Sequence, residues 1–185
     1  QMHYVDEGTG PMTVLVHGTP TWGFEWRHVI AHKRAKTRLI APDHMGFGLS
    51  ARPQVSYTPE AHATRFSQFM DQLLGPTAAT QTDGRVHLVI HDFGGPIALD
   101  WALQNVDRLR HLTIVNTWMW PFDDDPSMRK RAQMAGGALG RFLYRYLNAS
   151  QRLIMPSAYG DRRRLTPTIH RQYLSVFPDP DSREQ

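Results

Sequence analysis

The 185 residues are 41% hydrophobic, enough for one sizeable buried core, so one domain plus an appendage is the expectation. There is no cysteine, which excludes disulfides, thiolate metal sites and a cysteine nucleophile. The net charge is +4, but Lys plus Arg against Asp plus Glu runs 10 against 10 over residues 1 to 120 and 11 against 7 over residues 121 to 185, so the excess belongs to the tail.

The densest basic run, Arg162-Arg163-Arg164, has no interleaved aromatic residues. It reads as a solvated helix face, and no nucleic-acid partner is expected. No apolar stretch approaches the roughly 20 residues that span a bilayer, and the start lacks the order of a signal peptide. The expectation is a cytoplasmic protein with no membrane partner, although a signal upstream of Gln1 stays open.

In chain order, a weak strand is predicted at Met2 to Val5 and a strong one at Thr13 to Val16, followed by a helix over Phe24 to Ala35 and a strand at Arg38 to Ala41. The next helix, Pro59 to Leu74, opens on Thr58-Pro59-Glu60, a capping residue followed by proline at the first helical position. A strand at Val86 to Ile90, a helix over Pro96 to Asn105 and a strand at Leu112 to Val115 complete the series. Short unbroken apolar runs suit strands buried on both faces, and their alternation with helices predicts a mostly parallel α/β sheet flanked by helices. After Trp120 the rhythm breaks at Pro121, Asp123 to Asp125 and Pro126. Only helical stretches follow, Ser127 to Leu147 and Pro167 to Phe177. The expected organisation is a core over residues 1–120 and a helical insertion or cap over residues 121–185.

The strongest chemical signal is Val89-Ile90-His91-Asp92-Phe93-Gly94-Gly95-Pro96. A buried strand runs into a Gly-Gly turn and then a helix, a construction that lifts one side chain onto a strained elbow. Asp92 occupies the apex. An apical carboxylate can attack an electrophilic carbon without first losing a proton, forming an ester that an activated water then opens. The helix N-terminus behind it favours the charged form. The competing reading makes Asp92 a cap for the helix beginning near Gly95.

A second strand, Leu15-Val16, runs into His17-Gly18-Thr19-Pro20. The backbone N–H after His-Gly pairs with that after the nucleophile as an oxyanion hole in hydrolases of this construction, so the expected donors are Thr19 and Phe93. Alone, His17-Gly18 would be an ordinary strand-end turn. The loop Ala41-Pro42-Asp43 to Ser50 is Gly-punctuated but lacks the lysine and spacing of a phosphate cradle, so it reads as a structural loop near the site. His28 and His32 share a helix face, but Val29-Ile30-Ala31 between them lacks the glutamate of a metalloprotease pattern. They read as exposed histidines, and neither metal nor cofactor is expected. His91, adjacent to Asp92, is expected to point away from the site.

His17-Gly18-Thr19-Pro20-Thr21 with Trp26-Arg27, Pro42-Asp43 to Ser50, and His91-Asp92-Phe93-Gly94-Gly95 with Leu99-Asp100-Trp101-Ala102 together resemble the haloalkane dehalogenases and their close α/β-hydrolase relatives. The resemblance covers roughly residues 1 to 120, and it places a helical cap where the segment after Trp120 begins. It implies an α/β-hydrolase fold acting on a small-molecule substrate and water: Asp92 displaces halide from an alkyl carbon, and a histidine-activated water splits the ester. Phe93, whose side chain has no N–H, stands where dehalogenases usually carry the tryptophan that binds the leaving halide, and Thr19 stands where many carry asparagine. Asn116 occupies the place where some members carry the catalytic acid. In the relatives with Asn there, the acid follows a later strand.

The general base of this fold follows the last strand. Of the histidines after Asp92, His111 leads into a predicted core strand and His170 lies in a predicted cap helix. The base, the acid and the C-terminal strands and helices are therefore expected beyond residue 185, and the 185-residue piece alone is expected not to turn over. Trp118 and Trp120 flank the hinge into the cap; they either line the substrate pocket, with an indole N–H for a leaving group, or pack the cap onto the core. An epoxide hydrolase would use the same nucleophile with cap tyrosines drawn from Tyr144, Tyr146, Tyr159 and Tyr173. A hydrolase-fold protein that binds ligands without turnover is the alternative from another class.

Overall fold

The computed structural model describes residues 1–75, 83–120 and 125–183. Residues 121–124, which include Pro121 and the first two of the three aspartates expected to break the strand–helix rhythm, lie outside the described residues. The chain divides into two compact units, Gln1–Met119 and Trp120–Gln185.

The first unit is built on a five-stranded sheet: β1 (Tyr4–Glu7), β2 (Met12–Val16), β3 (Arg38–Pro42), β4 (Val86–Asp92) and β5 (Leu109–Thr117), in the order β1-β3-β2-β4-β5. All neighbours are parallel except β1, which runs antiparallel to β3. Alternate side chains of a strand leave opposite faces, and both faces here are covered. Val14, Val16, Ile40, Leu88 and Ile90 pack with Phe66 and Met70 of helix α2 (Pro59–Leu73) and with Ile97, Ala98 and Trp101 of helix α3 (Gly94–Gln104). On the other face Leu15, Leu39 and Ala41 pack with Trp26 and Ile30, the latter from helix α1 (Arg27–Lys33). Two-sided burial is why β2 is apolar at every position except Thr13.

The helix predicted over Phe24 to Ala35 divides into a 3₁₀ turn, Gly23–Trp26, and α1. Helix α2 starts as predicted, with the Thr58 side chain accepting from the Ala61 amide at 3.4 Å and Pro59 at the first position. Helix α3 starts two residues earlier than predicted, because Pro96 sits in the first turn, where a missing N–H leaves no bond unmade. The strand over Leu112 to Val115 exists but is not buried: Leu112, Ile114 and Val115 are each more than a third exposed. β5 pairs in parallel with β4.

The second unit is helical: α4 (Pro126–Gly136), α5 (Ala138–Leu147), a π-turn at Ser150–Ile154 leading into α6 (Met155–Ala158), a 3₁₀ turn at Arg162–Arg164, and α7 (Pro167–Ser175). The single helix predicted over Ser127 to Leu147 is broken at Gly137, whose backbone is extended (φ −69°, ψ 166°). Thr166 caps α7 by accepting from the Ile169 amide at 3.3 Å. Arg163 and Arg164 are exposed and pair with Asp161. Among the described residues no helix is long and apolar enough to cross a membrane.

The first turn of α3 lies against two strands at once. A Cβ on Gly94 would stand 2.8 Å from the Val16 carbonyl oxygen, and one on Gly95 would overlap the Thr117 hydroxyl and stand 3.0 Å from the Trp118 carbonyl oxygen. Alanine within a helix normally gains about 1 kcal/mol over glycine. Here overpacking, typically about 1–3 kcal/mol, opposes that gain and the Thr117 hydroxyl cannot turn away without losing its own bond. Gly95→Ala is expected to lower the urea midpoint of the protein, where an unobstructed helix position would raise it.

Candidate active site

Asp92 is the last residue of β4, and its backbone has crossed into the left-handed region (φ 50°). For a residue other than glycine this costs on the order of 1–3 kcal/mol and persists only where the surroundings hold it. The holding contacts come from both neighbouring strands. Along β4 and β5 the register runs His91 opposite Val115 and then Asp92 opposite Thr117, so Asn116, itself left-handed (φ 41°), forms a bulge. That shift places the Thr117 hydroxyl where it donates to the Asp92 carbonyl oxygen. Asparagine at 116 suits the bulge, since it tolerates this backbone better than most side chains.

From β2 comes the loop that opens with His17-Gly18. The Thr19 amide donates to Asp92 Oδ1 at 2.8 Å, a charge-assisted bond across 73 residues of sequence. Gly18 makes the approach feasible, because a Cβ there would occupy the same space as the Asp92 carboxylate. Asp92 is half-buried and Thr19 exposed. Among the described residues, Asp92 Oδ2 accepts no hydrogen bond and the Phe93 amide makes none to the carboxylate. The Phe93 ring meets Trp118 edge to face, with centroids 5.5 Å apart. Trp120 belongs to the second unit and is 64% exposed.

The Gly-punctuated loop after β3 is organised by a buried carboxylate. Asp43 Oδ1 accepts from the Gly23 amide at 2.7 Å, and Oδ2 accepts from the Leu49 amide at 3.0 Å and from His3 Nδ1 at 2.8 Å. The Ser50 hydroxyl donates to the Asp43 carbonyl oxygen at 2.7 Å. Two of these bonds close the loop on itself, and the other two tie it to the 3₁₀ turn at Gly23 and to His3.

Three histidine rings, of His17, His44 and His62, follow one another in tilted and edge-on contacts. His17 Nε2 accepts from the His44 amide at 3.0 Å, which leaves the ring proton on Nδ1, donated to the Gly18 carbonyl oxygen at 2.8 Å. The His44 ring stands 4.2 Å from that of His17 and 5.8 Å from that of His62, centroid to centroid. Burial pushes the His17 pKa down, the His44 pKa well down and the His62 pKa to about 4. His28 and His32 are exposed on α1.

His91, expected to point away from the site, has a partner of its own in Glu25. Its Nδ1 donates to Glu25 Oε1 at 2.9 Å, a bond that raises the His91 pKa, and Glu25 Oε2 accepts from the Thr21 hydroxyl. Glu25, Thr21 and Thr117 are the site-bracing residues that sequence reasoning missed. Glu25 and Thr117 act on partners far along the chain, Thr21 acts on Gly18 and Glu25 close by, and no motif names the role of any of the three.

The family model of the alpha/beta hydrolase fold matches residues 12–179, and the chain belongs to that family. Within it the chain is haloalkane dehalogenase-like. It is 42% identical over 124 residues to haloalkane dehalogenase 2 of Mycobacterium tuberculosis, covering 66% of this chain and 41% of that protein. It is 32% identical over 187 residues to a cis-3-alkyl-4-alkyloxetan-2-one decarboxylase of Xanthomonas campestris pv. campestris, covering 95% and 59% respectively. The crystal structure of the haloalkane dehalogenase DatA from Agrobacterium tumefaciens C58 superposes with a TM-score of 0.84 at 30% identity, covering all of this chain and 61% of that one. The chain thus spans between 41% and 59% of the length of these two curated relatives.

The buried histidines set a pH dependence. A ring whose folded pKa lies below its unfolded value of 6.5 takes up its proton more readily when unfolded. Its contribution is therefore complete above about pH 6.5 and is lost as pH falls toward 4, where His62 itself titrates. Between pH 7.5 and pH 4.5, His62 alone should account for about 2–3 kcal/mol of lost stability. Chemical denaturation at the two pH values should show a smaller loss in His62→Phe than in the parent protein.

Proposed function

We propose that the complete protein is a hydrolase in which Asp92 forms a covalent alkyl ester with a small, mostly apolar, halogen-bearing substrate. The observation that carries this reading is the Thr19 amide on Oδ1 of a carboxylate presented at a strained elbow. Oδ2, which accepts no hydrogen bond among the described residues, is the attacking atom. It bonds to the substrate carbon as the carbon–halogen bond breaks and halide leaves. Oδ1 then becomes the ester carbonyl oxygen, already at the Thr19 donor. Water adds to the carboxyl carbon, giving its proton to a histidine base that we assign beyond residue 185, with the acid that supports it. The negative charge developing on Oδ1 is held by Thr19 and, in the reacting geometry, by the Phe93 amide. Collapse releases the alcohol and restores the carboxylate.

Residues 1–120 supply the core of this hydrolase and residues 121–185 its helical cap. Trp118, edge-on to Phe93, stands beside the nucleophile on the substrate side. A second reading draws on the relative that aligns over 95% of this chain, an oxetanone decarboxylase. A carboxylate nucleophile equally suits the carbon of a strained four-membered lactone ring.

The test uses the full-length protein with bromoalkanes, epoxides and a cis-dialkyl oxetanone. Halide release is expected from the first group, with a peptide containing Asp92 heavier by one alkyl group less one hydrogen. Asp92→Asn should lower the rate by on the order of 10⁴-fold and abolish the adduct. Turnover of the oxetanone without halide release moves the assignment to the second reading, and diol formation from epoxides moves it to an epoxide hydrolase. No adduct and no turnover across the panel overturns both in favour of a binding protein.

A further inference from the structure

The proposed chemistry needs the Thr19 amide to stay on Oδ1 while Asp92 changes from carboxylate to ester to tetrahedral adduct. The Gly18–Thr21 turn presents that amide. Within it the Thr21 amide donates to the Gly18 carbonyl oxygen at 3.1 Å, and the Thr21 hydroxyl stands 2.9 Å from the same oxygen. That hydroxyl has one proton, shared between the Gly18 carbonyl and Glu25 Oε2. The other oxygen of Glu25 accepts from His91, the residue just before the nucleophile. Glu25 is itself mounted rigidly, on the 3₁₀ turn whose Gly23 amide is bound by buried Asp43. Its side chain is only 12% exposed.

We infer that Glu25 is a positioning residue that clips the turn carrying the Thr19 amide to the strand carrying Asp92, through Thr21 on one side and His91 on the other, and so serves the hydrolysis of the ester more than its formation. The inference rests on the reading of Asp92 as nucleophile. Ester formation spreads charge from Oδ2 to the departing halide, whereas hydrolysis concentrates it on Oδ1. A donor that drifts from Oδ1 therefore slows the second step selectively, and a displacement of about 1 Å is enough for losses on the order of 10²-fold.

The clip depends on hydrogen-bonding shape. Leucine is close to glutamate in size and removes both bonds. Glutamine keeps both: its oxygen accepts from His91 and its amide donates to the Thr21 hydroxyl, which then gives its proton wholly to Gly18.

The experiment follows both steps in the full-length protein with a bromoalkane, reading bromide release in the first turnover and the alkylated Asp92 peptide at steady state. In Glu25→Leu, ester hydrolysis should fall by about 10- to 100-fold while the first-turnover bromide burst changes by less than about 3-fold, so that alkylated enzyme accumulates. Glu25→Gln should restore most of the hydrolysis lost in Glu25→Leu. Equal loss in both steps, or no loss in either, overturns the clip while leaving the nucleophile standing. Absence of any Asp92 adduct in the parent protein overturns the nucleophile itself. Should Glu25→Leu fail to fold, Thr21→Val decides: a selective loss of hydrolysis supports the clip, and an unchanged rate overturns it.

Discussion

The contact on which the first unit turns is the hydrogen bond from the Thr19 amide to Asp92. It joins the ends of β2 and β4, adjacent strands that are 73 residues apart at this point. A parallel sheet brings the C-terminal ends of neighbouring strands to one edge, so loops that follow different strands meet there. The geometry of the sheet thus delivers the donor and the carboxylate to the same place. What remains for local sequence is to let them touch, and Gly18 does that by having no side chain in the gap.

Around this contact the bracing is polar and long-range, while the support beneath it is apolar. Ile90 and Val16 lie in the core just before the two loops begin, which fixes where each strand ends. Thr117, Asp43 and the paired Glu25 and His91 then hold the loops from three directions. The three buried histidines add a packed aromatic layer in which His17 Nε2 accepts from the His44 amide, His17 Nδ1 donates to the Gly18 carbonyl oxygen and His44 Nε2 bonds to the His17 carbonyl oxygen. Polar groups so enclosed must be paired, because an unpaired one costs about 1–3 kcal/mol.

Much of this was legible in the residues. The apolar runs of β2 and β4 and the Gly94-Gly95 turn are local signals, and they located the sheet and the elbow. The break at Gly137 was missed because the apolar spacing continues through it, although two consecutive glycines carried the signal. Glu25 was invisible for another reason: a lone glutamate on a short turn looks like any solvated carboxylate until the fold brings His91 to it.

The left-handed backbone at Asp92 has a bearing on how the protein can change over generations. Glycine would relax that position by about 1 kcal/mol, and asparagine would tolerate it nearly as well as aspartate. Glycine, however, gives up the bond to the Thr19 amide, whereas asparagine keeps an oxygen at that donor, so only the change to asparagine is close to level for folding. Aspartate rather than asparagine at this site would therefore mark selection for chemistry, because the scaffold accepts either.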